Sequence, residues 1–166
     1  MYKRQNSDIS AFNNRAFGST GGSGSTMTIN DLNNMAAITT AGRYRVFWDG
    51  RDVNNIKYHV FGASQMRIVG DGLSTGWNLA ASPQMTYSGN GIWTISVALT
   101  AGKSFKFVSG ADWNDFKYMD ASGGQQSLGT PRRIRWEGND ANFSTPSVSG
   151  TYTVTLNENT QTVTIN

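Results

Sequence analysis

The chain has 166 residues, of which 37% are hydrophobic and 15% charged, with 14 Lys and Arg against 11 Asp and Glu and no Cys. This length fits one ordinary domain, or one domain and part of another. The lack of Cys excludes disulfides and thiol chemistry. The net charge is +3, but the basic residues are scattered and do not form the dense stripe that is typical of nucleic-acid binders. No apolar run approaches the roughly 20 residues of a membrane helix.

The N-terminal segment predicts little regular structure. Residues 1–26 are polar and rich in Gly and Ser, which is typical of a flexible linker, although Phe12 and Phe17 are expected to pack on a neighbour. Residues 27–38 predict a short strand followed by a turn.

A β-hairpin is predicted next, over residues 44–60. Asp49-Gly50 is a turn signal. In the segments before and after it, every second side chain is apolar, which is the period of a β-strand. The residues of the alternating apolar face are Tyr44, Val46, Trp48, Ile56, Tyr58 and Val60.

Residues 64–166 carry the pattern of a complete β-sandwich. Apolar spacing is two nearly everywhere and turn signals recur about every ten residues, as in sandwiches. The predicted class is therefore all-β: an antiparallel immunoglobulin-like β-sandwich module over 64–166, preceded over 1–63 by a partial second β module or linker that ends in the hairpin. Strands are predicted at 66–70, 93–99, 105–108, 134–136, 152–156 and 160–165, with loops at 110–120 and 120–131.

An internal repeat relates the two parts. Residues 39–60 align with residues 147–165, the first copy having about three extra residues in its turn, and Met35 falls opposite Phe143. One hairpin is thus used twice, yet about 60 residues with one hairpin do not bury an ordinary core. The chain is either a fragment of a longer multi-module protein, or its N-terminal part completes its sheet with another chain by strand addition. A chance match of generic hairpins is the third explanation.

Three ordered motifs carry a family resemblance: MRIVGDGLSTGWN, then GIWTISVALTAGKSFKFVSGADWN, and finally SGTYTVTLNENTQTVTI. With these motifs, residues 66–165 resemble the C-terminal starch-binding modules of the SusE/SusF family of Bacteroidetes outer-membrane lipoproteins. The resemblance implies tandem β-sandwich modules at the extracellular face of the outer membrane, which bind α-glucan without catalysis. Because the N-terminal residues MYKRQNSDISAF have no apolar signal core, a signal and a lipoprotein anchor are expected to be absent from this chain.

The resemblance places glycan-binding residues in the loops beside the GW and FKF…W motifs. The matching positions are Trp77, Asn78, Lys106, Trp113 and Asn114. A flat aromatic face covers the CH patch of a sugar, and amide or ammonium groups donate to its hydroxyls.

Each of these residues also has a structural interpretation. Trp77 and Trp113 are alternatively anchors that fold over the core, and Lys106, between two inward-facing Phe, is alternatively a solvated side chain. Trp93 and Trp136 lie in predicted strands and are expected in the core, and Trp48 in a core or interface.

Catalysis has little support in the sequence. His59 is the only His, which excludes His-rich metal sites and disfavours a Ser-His-Asp triad. The acid pairs Asp112/Asp115 and Glu137/Asp140 have a spacing that is common in loops. Arg133 and Arg135 are expected on one solvated strand face. We therefore expect no enzyme, no metal and no cofactor.

The leading hypothesis is a non-catalytic cell-surface module that binds a polysaccharide or oligosaccharide, of the α-glucan or a related type. The alternative is a structural subunit of an extracellular fibre or multi-module surface protein, whose partners are neighbouring modules or other copies joined through strand edges. Neither hypothesis involves nucleic acid or a transmembrane segment in this chain.

Overall fold

The computed structural model describes residues 17–18, 26–29, 38–50, 52, 54–136 and 141–166. The chain divides into two compact units, unit 1 (Met1–Ala63) and unit 2 (Ser64–Asn166). In the described ranges the fold is all-β with antiparallel pairing, as predicted, and one single-turn 3-10 helix at Leu79–Ala81 interrupts it. No described helix has the length and apolar character needed to cross a membrane.

The described part of unit 1 contains two short β-ribbons. The predicted hairpin is confirmed, with Val46 opposite Val60 and Trp48 opposite Tyr58. The linker prediction is wrong at Phe17–Gly18, which forms a strand, whereas Phe12 and Met35 lie outside the described residues. The strands are β1 (Phe17–Gly18) paired with β2 (Thr28–Ile29), and β3 (Tyr44–Asp49) paired with β4 (Lys57–Gly62).

The hairpin of unit 1 does not bury its β3 residues as its alternation predicts. Val46 is 57% and Trp48 52% exposed, so Trp48 is not a core residue, whereas Arg45 on the opposite face is 6% exposed. The Arg45 guanidinium is held on this face because its Nη1 donates to the Gly62 carbonyl (2.8 Å). Both its methylene groups and its guanidinium are buried. On the same face His59 Nε2 lies 3.9 Å from the Asp49 carboxylate, a contact that the sequence did not predict.

Unit 2 is one nine-stranded antiparallel sheet that curls into a half-barrel. The order is β6-β7-β12-β13-β10-β9-β8, and β5 and β11 pair with successive parts of β8. The loop predicted at 110–120 ends early, because its last four residues form β9. The strands are β5 (Arg67–Val69), β6 (Thr86–Gly89), β7 (Ile92–Leu99), β8 (Ser104–Val108), β9 (Lys117–Asp120), β10 (Arg132–Trp136), β11 (Phe143–Ser144), β12 (Gly150–Asn157) and β13 (Thr162–Ile165).

The core of unit 2 lies inside the curl. Phe105, Phe107 and Phe143 are fully buried, with ring centroids 5.4–5.6 Å apart. Trp93 is 1% exposed, which confirms its predicted core position. Trp136, also predicted in the core, is only partly buried.

The sheet turns its corner at β10. The first two residues of β10 pair with β13 and the last three pair with β9, so one strand serves both halves of the sheet. At the corner Arg132 forms an ion pair with Asp120, in which Nη2 lies 2.6 Å from Oδ2 and Nε donates to Oδ1 at 3.0 Å. Both side chains are buried, whereas Arg133 and Arg135 are exposed, as predicted.

We predict that Arg132→Met destabilises the protein by about 3 kcal/mol or more, because it leaves the buried Asp120 carboxylate without its counter-charge. Arg133→Met, at the exposed neighbouring position, is the matched control and changes stability by less than about 0.5 kcal/mol. Urea unfolding of both variants measures the difference. Equal effects of the two substitutions would show that the ion pair does not support the corner.

Candidate functional site

The structure brings together three of the five side chains that the sequence singled out. The rings of Trp77 and Trp113, here called the tryptophan pair, have centroids 6.5 Å apart and planes inclined at 43°. They come from two separate loops and are 39% and 41% exposed. Lys106 Nζ lies 5.6 Å from the centre of a Trp77 ring. These exposures show that neither indole is a fully buried anchor.

Trp77 stands at the end of a chain of turns, residues 70–78, here called the GDG loop. Backbone hydrogen bonds close these turns from Leu73 N–H to the Gly70 carbonyl (3.1 Å) and from Gly76 N–H to the Leu73 carbonyl (3.0 Å). Gly76 has a φ of +57°, a conformation that favours glycine. A Cβ at Gly70 would collide with the backbone of β8, so that glycine permits the close approach of loop and strand.

Asp71 fastens the GDG loop to the first residue of β8. Its Oδ1 accepts hydrogen bonds from the backbone N–H of Ser104 (2.9 Å) and from the Ser104 hydroxyl (3.1 Å). Gly72 N–H donates to the Ser104 carbonyl at 3.1 Å. The GDG motif therefore attaches the loop to the start of β8 and thereby fixes the position of Trp77.

Lys106 is buried, so its interpretation as an outward, solvated side chain is wrong. It does lie on the opposite face of β8 from the two Phe, as alternation predicts, but it is only 6% exposed. The chain after Trp77 covers this face, because Leu79 packs on Val69 and Val108 beside Lys106. An ammonium held near an indole face is attracted by about 0.5–2 kcal/mol, so Lys106 helps to fix Trp77.

Trp113 is presented by a second loop, residues 110–115, that is closed by its own carboxylates. Asp112 Oδ1 accepts from Asn114 N–H (2.8 Å), and Asp115 Oδ2 accepts from Asp112 N–H (2.9 Å). A Cβ at Gly110 would overlap the Asp115 carboxylate. The acid pair Asp112/Asp115 therefore caps the loop backbone.

The remaining candidates differ in what they offer a ligand. Asn78 Oδ1 accepts from Ala81 N–H (3.3 Å) and caps the 3-10 helix, which leaves its amide nitrogen as a donor. The exposed carboxamide of Asn114 makes no hydrogen bond to another described residue. The second acid pair, Glu137/Asp140, lies outside the described residues. In the described ranges no three His, Asp or Glu side chains group as metal ligands do.

Sequence reasoning missed a small cavity of about 210 Å³ beside the GDG loop. Leu73, Thr75, Pro83 and Val97 contribute to its walls. Most of these residues are apolar and come from separate segments of the chain, so no local sequence pattern predicts the cavity.

Comparisons of the chain with models of protein families, with curated proteins and with solved structures found no match. The interpretation of the site therefore stands on its geometry and on the motifs quoted above.

We predict that Asp71→Ala destabilises unit 2 by about 1–3 kcal/mol, because it leaves the Ser104 N–H without its acceptor. Lys103→Ala is the control, since Lys103 Nζ makes only a half-exposed ion pair with Asp71 (3.8 Å), and such pairs contribute about 0–1 kcal/mol. Denaturant unfolding compares the two variants. If Lys103→Ala matched Asp71→Ala, the Coulombic contact and not the hydrogen bonds would hold the loop.

Proposed function

We propose that unit 2 is a non-catalytic carbohydrate-binding module and that the tryptophan pair is its sugar platform. The observation that carries the proposal is the convergence of two half-exposed indoles, from separately braced loops, at a centroid distance of 6.5 Å. Isolated exposed aromatics are common on protein surfaces, whereas a contiguous apolar patch rimmed by polar groups marks a binding site.

The chemistry of the patch suits a neutral glycan. The indole faces would cover the CH patches of sugar rings, and Asn78 and Asn114, each next in sequence to one of the indoles, carry carboxamides that can donate to hydroxyls. Because Lys106 is buried, we assign it to holding Trp77 and not to direct contact with a hydroxyl.

The inclination of the two indoles supports an α-glucan as the ligand. Successive rings of an α-linked glucan turn relative to one another, so planes inclined at 43° follow them better than they follow a flat β-linked ribbon. The SusE/SusF resemblance points to the same ligand class and to the extracellular face of the outer membrane. The composition, rich in Gly, Asn, Ser and Thr, agrees with that location.

The proposal includes an immunoglobulin-like sandwich as the finer description of unit 2. Tyr152 Oη donates to the carbonyl of Val148, four residues upstream, at 2.7 Å. Such a tyrosine corner is a hallmark of immunoglobulin-like sandwiches. The change of partner along β10 supports the same description.

We predict that Trp77→Ala and Trp113→Ala each weaken binding of maltoheptaose about tenfold or more, which corresponds to about 1.4 kcal/mol for a lost stacking surface. Isothermal titration calorimetry with the full chain measures the affinities. Trp48→Ala removes an indole of similar exposure from unit 1 and serves as the control, with no change expected. Absence of binding to every glycan of an array would sink the proposal.

The supporting role of Lys106 has its own test. We predict that Lys106→Met weakens maltoheptaose binding several-fold, in line with a cation–π contact of about 0.5–2 kcal/mol. In a Trp77→Ala background the same substitution should have no further effect, because Lys106 then has no indole to hold. Additive losses in the double variant would instead indicate that Lys106 contacts the sugar itself.

A further inference from the structure

One edge of the sheet in unit 2 is formed by two strands in turn, β6 and then β7. β6 covers the edge of β7 only as far as the pair of Thr86 with Thr94. Upstream of Thr86 the chain leaves β7 and joins the β5 side, where Met85 N–H donates to the Met66 carbonyl (2.7 Å). Residues 95–99 of β7 therefore have β12 on one side and no described strand on the other.

The hydrogen-bond pattern shows which backbone groups of β7 point to this edge. Thr153 of β12 exchanges two hydrogen bonds with the residue that follows β13 (2.8 and 3.0 Å), so its backbone groups face the β13 side. The backbone groups of the next residue, Val154, therefore face β7, where Val154 pairs with Ile95. On β7 the alternation then directs the N–H and carbonyl groups of Ser96 and Ala98 away from β12.

Ser96 and Ala98 form an open gap in the edge, here called the β7 window. The window ends at Thr94, which pairs with β6, and at Thr100, whose N–H donates to the Gly72 carbonyl of the GDG loop (2.8 Å). On this side the backbone groups of Ser96 and Ala98 make no hydrogen bond to any described residue, and both residues are exposed. From Thr94 to Thr100 the window spans about 20 Å of extended chain.

The β7 window lacks the features that usually protect a sheet edge. Natural edges carry charged side chains, Pro or a bulge, or are covered by another segment. The edge of β6 has an irregularity, because its register shifts between Tyr87 and Gly89. The edge of β5 is covered, since Ile68 N–H donates to the Pro83 carbonyl (3.2 Å). Residues 95–99, with the sequence ISVAL, contain neither a charge nor a Pro.

The cavity beside the GDG loop adjoins the β7 window. Leu73, Pro83, Val97 and Ala98 all contribute to its lining. Val97 lies on the inner face of β7, opposite to the face that carries Ala98. A residue that lay opposite Val97 on an added strand would share this inner face, so its side chain would enter the cavity. The cavity volume of about 210 Å³ accommodates an aliphatic side chain.

We propose that the β7 window accepts a short strand of another polypeptide, which pairs antiparallel to β7 and inserts one aliphatic side chain into the cavity. The occupant is an extended peptide because its backbone offers N–H and carbonyl groups at the two-residue spacing of Ser96 and Ala98. The backbone hydrogen bonds supply affinity and the inserted side chain supplies specificity. Side chains opposite Ser96 and Ala98 point to solvent and are unrestricted. This interaction is separate from sugar binding by the tryptophan pair.

The test uses the capped peptide acetyl-ATLTA-amide and the full chain labelled with nitrogen-15. With the central Leu opposite Val97, the two Thr of the peptide lie opposite Ser96 and Ala98. We expect hydrogen exchange, measured by NMR, to slow at least about tenfold for the amides of Ser96 and Ala98 at saturating peptide. The amide of Ile95 faces β12 and should change little, as should that of Val97.

Three control peptides separate backbone pairing from side-chain contact. N-methylation of both Thr residues blocks the groups that face β7 and should abolish binding. N-methylation of the central Leu blocks a group that faces away and should leave binding unchanged. Replacement of the central Leu by Lys should abolish binding, because the ammonium would enter an apolar cavity.

Variants of the protein show where the peptide binds. Ala98→Pro removes an N–H that makes no bond to β12, a position at which a sheet edge tolerates Pro, and should abolish peptide binding. Ser96→Ala keeps both backbone groups and is the matched control, with no change expected. If Ala98→Pro does not fold, as judged by its NMR spectrum, the two N-methylated peptides decide with the unaltered chain.

Three results would overturn the proposal. The first is unchanged exchange at Ser96 and Ala98 in the presence of the peptide. The second is equal binding of the two N-methylated peptides, which would show that backbone pairing with β7 is not involved. The third is slow exchange at both amides in the free chain, together with a dimer in light scattering that Ala98→Pro dissociates, because the occupant would then be a second copy.

Discussion

Strand β8 is buried on both faces, and the structure around the candidate site follows from that constraint. Its inner face carries Phe105 and Phe107, the centre of the core, and its outer face carries Lys106 and Val108. The cover over this outer face is apolar where it meets Val108 and aromatic where it meets the Lys106 ammonium. Trp77 of the GDG loop and Leu79 of the following 3-10 helix supply it.

Polar contacts brace the two loops that carry the tryptophan pair. Asp71 binds the start of β8, and Asp112 and Asp115 bind backbone N–H groups within their own loop. A platform whose parts are held before the ligand arrives loses less conformational entropy on binding. The carboxylates of Asp112 and Asp115 thus hold the backbone of the loop that presents Trp113.

The two units show one half-module in two environments. The residues at positions 154 and 156 are buried, whereas the aligned residues at positions 46 and 48 are exposed. The sequence predicted a core face in both copies from the same alternation. The prediction differs from the structure because burial depends on what packs against a strand, which the alternation within that strand does not encode.

By itself the sequence determined the all-β class, the hairpins at residues 44–60 and 152–165, the inward Phe105 and Phe107, and the choice of Trp77 and Trp113. The class, the hairpins and the inward Phe pair follow from period-2 alternation and turn residues, which act over a few positions, whereas the two Trp were chosen through the family resemblance. Strands β6, β9 and β11 were missed. β9 is buried at three of its four positions and so shows no alternation, β11 has only two residues, and β6 ends in residues that have the pattern of a turn. Only the tertiary structure decided the burial of Lys106, the Asp120–Arg132 pair, the meeting of the two indoles and the exposure of Trp48. Each of these joins segments distant in the chain, and their contacts are set by how the sheet curls and how the loops fold back over it.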